Sequence, residues 1–157
     1  MQKESLKFSG ELQVVVTDTT TGEVKYDITE KNLVVNLGLA HIISRLKDAS
    51  ATVMSYIGVG TSSTIAIGTH TDLLAVAGSR LGPDSGFPAI ATKTVANDTL
   101  QFVTTFPPGA STGALIEAGI FNAPTAGTMM CRTVFSAGVV NKGALDSMTI
   151  TWKVTAA

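Results

Sequence analysis

Residues 6–28 read LKFSGELQVVVTDTTTGEVKYDI. Leu6, Phe8, Leu12, Val14 and Val16 share one parity; Lys7, Ser9, Glu11 and Gln13 share the other. Successive side chains leave opposite faces of a pleated backbone, so alternation with period two over this length predicts a half-buried strand. DTTTGE supplies a turn, with Gly22 free to take a positive φ. Val24, Tyr26 and Ile28 then alternate against Glu23, Lys25 and Asp27. Two such runs joined by a polar turn predict an antiparallel hairpin with one wet face, and they place the chain in the β class.

The rest of the chain repeats this device. Residues 53–59 form a short apolar run. Residues 90–95 and 99–106 pair around AND, with Leu100, Phe102, Phe106 and the Thr104 methyl on one face. Residues 113–123 and 128–136 pair around PTAG, and residues 137–146 form a last loop. Residues 147–155 close the chain, with Met148, Ile150, Trp152 and Val154 inward. GPDSGFP at 82–88 is too broken for the interior of an element. Residues 71–81 read as one helical turn followed by an extended stretch.

One segment changes period. In residues 31–48, KNLVVNLGLAHIISRLKD, the side chains of Leu39, Ile42, Ile43 and Leu46 fall at helical spacing and Asn36 is placed to cap the start. The fold expected is therefore mostly β: an antiparallel β-sandwich or barrel-like sheet of about eight or nine strands, with one α-helix near residues 37–47 packed across it. Residues 1–157 read as a single domain, in which the N-terminal β-hairpin at 5–29 is an assembly add-on. Internal repeats, sustained heptads and low-complexity tails are missing.

Of the 157 residues, 45% are hydrophobic and only 15% charged, against about 25% charged in typical domains. Such a surface exposes much neutral or apolar area, which suits a protein that lives against other subunits. The net charge is -1, without a basic run, so the electrostatic attraction that dominates nucleic-acid affinity is missing. A membrane partner would need a polybasic signal or an apolar run of about 18–20 residues, and the sequence has neither. The start, MQKESLKFSG, lacks the apolar core of a signal peptide, so cytoplasmic synthesis is expected.

YIGVGTSSTIAIGTHTDLL, residues 56–74, raises the question of a nucleotide pocket. A dinucleotide fingerprint needs a third glycine where Ser63 stands, followed at once by a helix; a phosphate loop needs a lysine before Ser or Thr. Gly58 and Gly60 read instead as close backbone packing, with Thr61, Ser62 and Ser63 closing a turn. No cofactor is expected. His41, His70 and Cys131 lie at no metal-ligand spacing, and Asp84 and Asp98 stand alone in their loops, so no metal is expected either. Cys131, the single cysteine, reads as a buried structural thiol. A Gly-x-Ser-x-Gly elbow and paired carboxylates are also missing, and the chain reads as a non-enzyme. Glu117 stands out, because a carboxylate flanked by Ile116, Ala118, Gly119 and Ile120 must be paired, neutralised or turned to the outer face; an ion pair with Arg80 or Arg132 is the expectation, and a catalytic acid, for which no second catalytic group is present, is the alternative.

The order of features then resembles small virion proteins of tailed bacteriophages, and the N-terminal domains of phage tail-collar and tail-fibre proteins. The matching positions are Ile57, Gly58, Gly60 and Thr61, then Thr71, Leu73 and Arg80, then Ile116, Glu117, Gly119, Ile120 and Phe121. A strand carrying an arginine, here Arg132, follows. The likeness covers roughly residues 32–155 and is built from short motifs of common residues. It implies a non-enzymatic virion component whose partners are copies of itself, as a trimer, and major capsid or tail proteins. Two departures, the N-terminal hairpin and the lack of a fibre shaft after Ala157, favour capsid decoration over a tail-fibre or tail-collar attachment role. A β-sandwich carbohydrate-binding module is the alternative, and an exposed aromatic cluster containing Trp152 would favour it.

Overall fold

The computed structural model describes residues 6–48 and 50–156. In chain order the elements are β1 (Phe8–Asp18), β2 (Val24–Val34), α1 (Asn36–Lys47), β3 (Tyr56–Gly60), β4 (Ala89–Ala91), β5 (Thr99–Phe106), β6 (Gly113–Leu115), β7 (Glu117–Phe121), β8 (Met129–Val134), β9 (Val140–Lys142) and β10 (Asp146–Ala156). Eight strands form one curled antiparallel sheet in the order β3-β7-β8-β2-β1-β10-β5-β4, a half-barrel; β6 and β9 form a small second ladder. The mostly β, barrel-like architecture with one helix is the one the alternation predicts.

The core follows from parity. Leu12, Val14 and Val16 on β1 and Met148, Ile150 and Trp152 on β10 are fully buried. They meet Phe102 and Phe106 from β5, and Ile57, Ala118, Ile120 and Cys131 from the other half of the curl, in one cluster. The Val, Leu, Ile, Phe and Met side chains of this cluster each contribute about 1.5–3 kcal/mol when taken from water. The Trp152 indole N–H is satisfied by Asn32 Oδ1 at 2.7 Å. Val24 departs from the pattern and is exposed. The ladder shifts between Val16, opposite Tyr26, and Thr17, opposite Val24. That bulge inserts Lys25 and turns Val24 to the other face.

The hairpin is not an add-on. β1 pairs with β10 from Phe8 to Asp18 on one side and with β2 from Gly10 to Thr17 on the other. It is the middle of the sheet, so β1 offers no free edge to a neighbour; Ser5 lies outside the described residues.

Three other local expectations change. The strand expected at 90–95 stops at Ala91, because the Asp98 carboxylate gathers the amides of Lys93, Thr94 and Val95 into a turn, each at 2.8 Å. The strand expected at 113–123 breaks at Ile116, so that β6 leaves the main sheet to pair with β9, which lies within the expected last loop. Residues 71–81 hold no helical turn; they run extended beside β3 through bridges at Ile57↔Leu81 and Gly60↔Val76 and cover its outer edge.

Helix α1 forms where the period predicts, but its docking differs. Val35 is the N-cap, without a side-chain cap bond, and Asn36 donates its N–H to Gly68 O at 2.8 Å. Gly38 is buried against the backbone of Met130 on β8, where a Cβ would overlap it. Leu39, Ile43 and Leu46, expected to pack on the sheet, are exposed.

Candidate functional site

The outer face of β3, β7 and β8 carries a second, smaller core of Val35, Leu73, Phe121 and Met129. The chain from Thr61 to Arg80 lies over this face as a strap. Its attachment is the place where the sequence-derived candidates meet.

Glu117 is the centre. Its side chain and that of Arg132 are both fully buried. Oε2 accepts from Arg132 Nε at 2.9 Å and Nη2 at 2.7 Å. Two guanidinium N–H groups thus converge on a single carboxylate oxygen in charge-assisted bonds, and Oε1 is left to the strap. The remaining lone pairs take strap amides. Oε1 accepts from Ala75 N at 2.8 Å and weakly from Ser62 N at 3.4 Å, and Oε2 from Leu74 N at 3.2 Å. Arg132 Nη1 reaches the strap as well, donating to Thr64 O at 2.9 Å and lying 3.1 Å from His70 Nδ1. That nitrogen also accepts from Ile67 N at 3.3 Å. One buried ion pair therefore pins the strap near both ends.

Gly60 and Gly119 make room for this. A Cβ at Gly60 would overlap Ala75 O and Glu117 Oε1, and one at Gly119 would lie 3.0 Å from the Phe121 ring and 3.2 Å from Cys131 O. Gly58 performs the same service for Arg80, whose Cγ would be 3.0 Å from an added Cβ. Thr61 is exposed and contributes through its backbone, donating its N–H to Ala75 O at 2.8 Å.

Arg80 does not pair with Glu117. Its guanidinium lies 3.4 Å from the centroid of Phe121. It bridges Asp72 Oδ1 at 2.8 Å and the carbonyls of Ala123 at 3.2 Å and Ala126 at 2.6 Å. Of the two arginines, Arg132 takes the carboxylate because it is opposite Gly119 on β8, beside Glu117 across the ladder. Asp72, His70 and the stacking role of Phe121 were not legible in the sequence; they become partners only because the strap folds back.

Several other acids and bases anchor turns or lie buried. Asp84 accepts from Thr105 N at 3.0 Å and Oγ1 at 2.8 Å. Amide donors, chiefly that of Val95, hold the Asp98 carboxyl well below its ordinary range. Asp146 is held low by Lys25, whose Nζ lies 2.7 Å away, and by the Gly143 amide. Lys142 is buried, and desolvation lowers its pKa against the opposing pull of Asp146; Nζ donates to Pro107 O at 3.0 Å. Burial likewise lowers the pKa of His41 and raises that of the Cys131 thiol. Among the described residues no cluster of three or more His, Cys, Asp or Glu side chains is arranged to hold a metal ion.

Chemically, this arrangement is a latch. Every strong donor or acceptor of the Glu117–Arg132 pair faces the chain's own backbone or His70. No family model, curated protein or solved structure matches the chain.

Proposed function

We propose that this chain is a non-enzymatic structural subunit that assembles with copies of itself on the outside of a tailed-phage particle, as a decoration or cement protein. The observation that supports this reading is the division between polar and apolar groups. Glu117, Arg132, Arg80 and Asp72 hold the strap to the sheet. Large apolar side chains, by contrast, stand in solvent: Leu39, Ile43 and Leu46 on α1, and Ile65 and Ile67 on the strap. A carboxylate that already accepts from an arginine and several amides is poorly placed to take a substrate proton. Exposed apolar surface of this kind is what subunit contacts hide.

The phage setting rests on the resemblance over residues 32–155. Within it, a tail-fibre or tail-collar role uses the same surface. The carbohydrate-binding alternative loses its platform, because Trp152 is fully buried and bonded to Asn32.

Antibody-gold labelling of intact particles tests the reading. Label spread over the head is the expected result, and label confined to the tail replaces decoration by attachment. Particles without label sink the virion reading.

A further inference from the structure

Strand β2 is paired on both sides only near its end. Its ladder with β1 runs from Val24 to Asn32, whereas its ladder with β8 holds Leu33 and Val34. β8 then leaves it: Val134 stands opposite Glu117 on β7, and Phe135 donates its N–H to Ile116 O at 2.8 Å. In an antiparallel ladder a residue sends its N–H and C=O to one side, and its neighbours send theirs to the other. Val35 N donates to Met130 O at 3.0 Å, and Lys31 O accepts from Thr133 Oγ1 at 2.8 Å. The odd-numbered residues of this stretch therefore face β8. The N–H and C=O of Asp27 and Thr29, and the N–H of Lys31, point into the gap that β8 vacates, and no bond among the described residues takes them. All three residues are exposed.

The fork between the two strands is a cleft of about 380 Å³ with apolar walls from Leu33, Ile65, Ala66 and Val134. Arg132, Thr133 and Ser136 also line it, but their polar groups are taken by Glu117, Lys31 O and Glu30. Lys31 lines it too, and enters no ion pair among the described residues. Glu11, opposite Lys31 on β1, is also opposite Lys153 on β10, so this row carries one surplus positive charge.

Free amides and carbonyls at strand spacing are matched by the backbone of another extended chain. A folded second copy has little to offer them. Among the described residues its other unpaired strand sides are short: β4, β6 and β9 have three residues each, the strap flanks β3, and Asp84 caps the far half of β5. Two-fold pairing of β2 with itself also fails. Centred on Thr29, it sets the second copy's Lys25 opposite Leu33, whose place is taken by Arg132; centred on Ile28 it opposes Lys25 to Lys31, and centred on Asp27 it opposes two carboxylates.

We infer that β2 takes an added strand over Asp27–Lys31 from an extended segment of a different protein, with an acidic side chain in reach of Lys31 and an apolar one in the cleft. The inference deepens the assembly reading above and rests on it for the source of the strand, a neighbouring protein of the particle.

A capped peptide, Thr-Leu-Thr-Glu-Thr-Leu-Thr, tests this on the full chain, because its palindrome presents Leu-Glu-Leu on one face in either direction. The expected result in an NMR titration is a Kd on the order of 100 µM, with amide shifts and slowed exchange at Asp27, Thr29 and Lys31. N-methylation of one alternate set of peptide amides abolishes binding, and methylation of the other set leaves it. Lys31→Glu weakens binding about 10-fold, and a peptide with Lys in place of Glu restores it. Thr29→Pro removes an N–H that β1 does not use, so the fold is kept and binding is lost. No binding, equal effects of the two methylation patterns, or shifts elsewhere on the molecule overturn the inference. Self-association of the wild type that Thr29→Pro abolishes would give the edge to a second copy and overturn it as well. Failure of the peptide with gold label on particles would sink the added strand alone; binding without label would sink the virion reading alone.

Discussion

Glu117 Oε2 and Arg132 Nη2 lie 2.7 Å apart with both side chains fully removed from solvent. The pair joins neighbouring strands β7 and β8, yet most of its remaining hydrogen bonds run outward to the strap. Its role is therefore to close the second core, and its loss uncovers Leu73, Phe121 and Met129 together.

Replacing Glu117 by Gln keeps the shape and removes the charge, leaving Arg132 buried without a counter-ion. Breaking a buried pair on one side costs about 3–5 kcal/mol, and urea denaturation should show a loss of that size. Hydrogen exchange should show faster loss of protection at the Leu74 and Ala75 amides than in the β1–β10 ladder. A Glu117→Gln protein as stable as the wild type would refute the structural role assigned to the pair.

Gly60→Ala tests the close approach directly. The added methyl meets the Ala75 carbonyl and the Glu117 carboxylate, and neither can move without releasing the strap. Overpacking of this kind costs about 1–3 kcal/mol, and the loss should be smaller when Glu117→Gln is already present, since both act on one attachment. Additive losses in the double variant would show that Gly60 is needed for some other reason.

Much of this was legible in the sequence, and the rest fails for identifiable reasons. Parity gave the faces of β1, β10 and β5, because a buried face imposes period two. The apolar neighbours of Glu117 singled it out and suggested an ion pair, but its burial came from the fold, and choosing Arg132 over Arg80 needed the β7–β8 register. Helical spacing located α1 and its stripe, yet spacing reveals only that a face is apolar, and Gly38 determined which face meets the sheet. The strand expected at 90–95 was lost to a single side chain, Asp98, whose competition for backbone amides no propensity captures.

Acid should weaken the fold in a defined window. Asp98, Asp18 and Asp146 all have carboxyl pKa values held below their ordinary value of 3.8, the first chiefly by the Val95 amide, the second by the Thr20 amide and the third by Lys25. A group whose folded pKa is depressed binds fewer protons folded than unfolded. Its contribution is full above the unfolded pKa and is lost as pH falls through the folded one. Urea midpoints should therefore decline slightly as pH falls below about 6.5, where His41, whose pKa burial lowers, is protonated more readily in the unfolded chain, and fall progressively below pH 4 as these carboxylates are lost. Asp98→Asn should be less stable at pH 7 and should lose less on acidification. An unchanged acid slope in Asp98→Asn would mean that the turn at 92–98 does not depend on the carboxylate.

Arg80→Lys separates charge from shape. Lysine keeps a cation near Asp72 but cannot lie flat on Phe121 while also reaching Asp72 and the carbonyls of Ala123 and Ala126. The strap end and the 123–126 turn should loosen together, seen as faster exchange at both. A double-mutant cycle of Arg80→Lys with Phe121→Leu should return a coupling of about 0.5–2 kcal/mol, the range for a partly desolvated cation over an aromatic face. Phe121 is also a core residue, so its single substitution costs packing energy that the cycle removes by difference. Zero coupling would assign Arg80 to its hydrogen bonds alone and leave Gly58 as space for an aliphatic stem rather than for a stacked guanidinium.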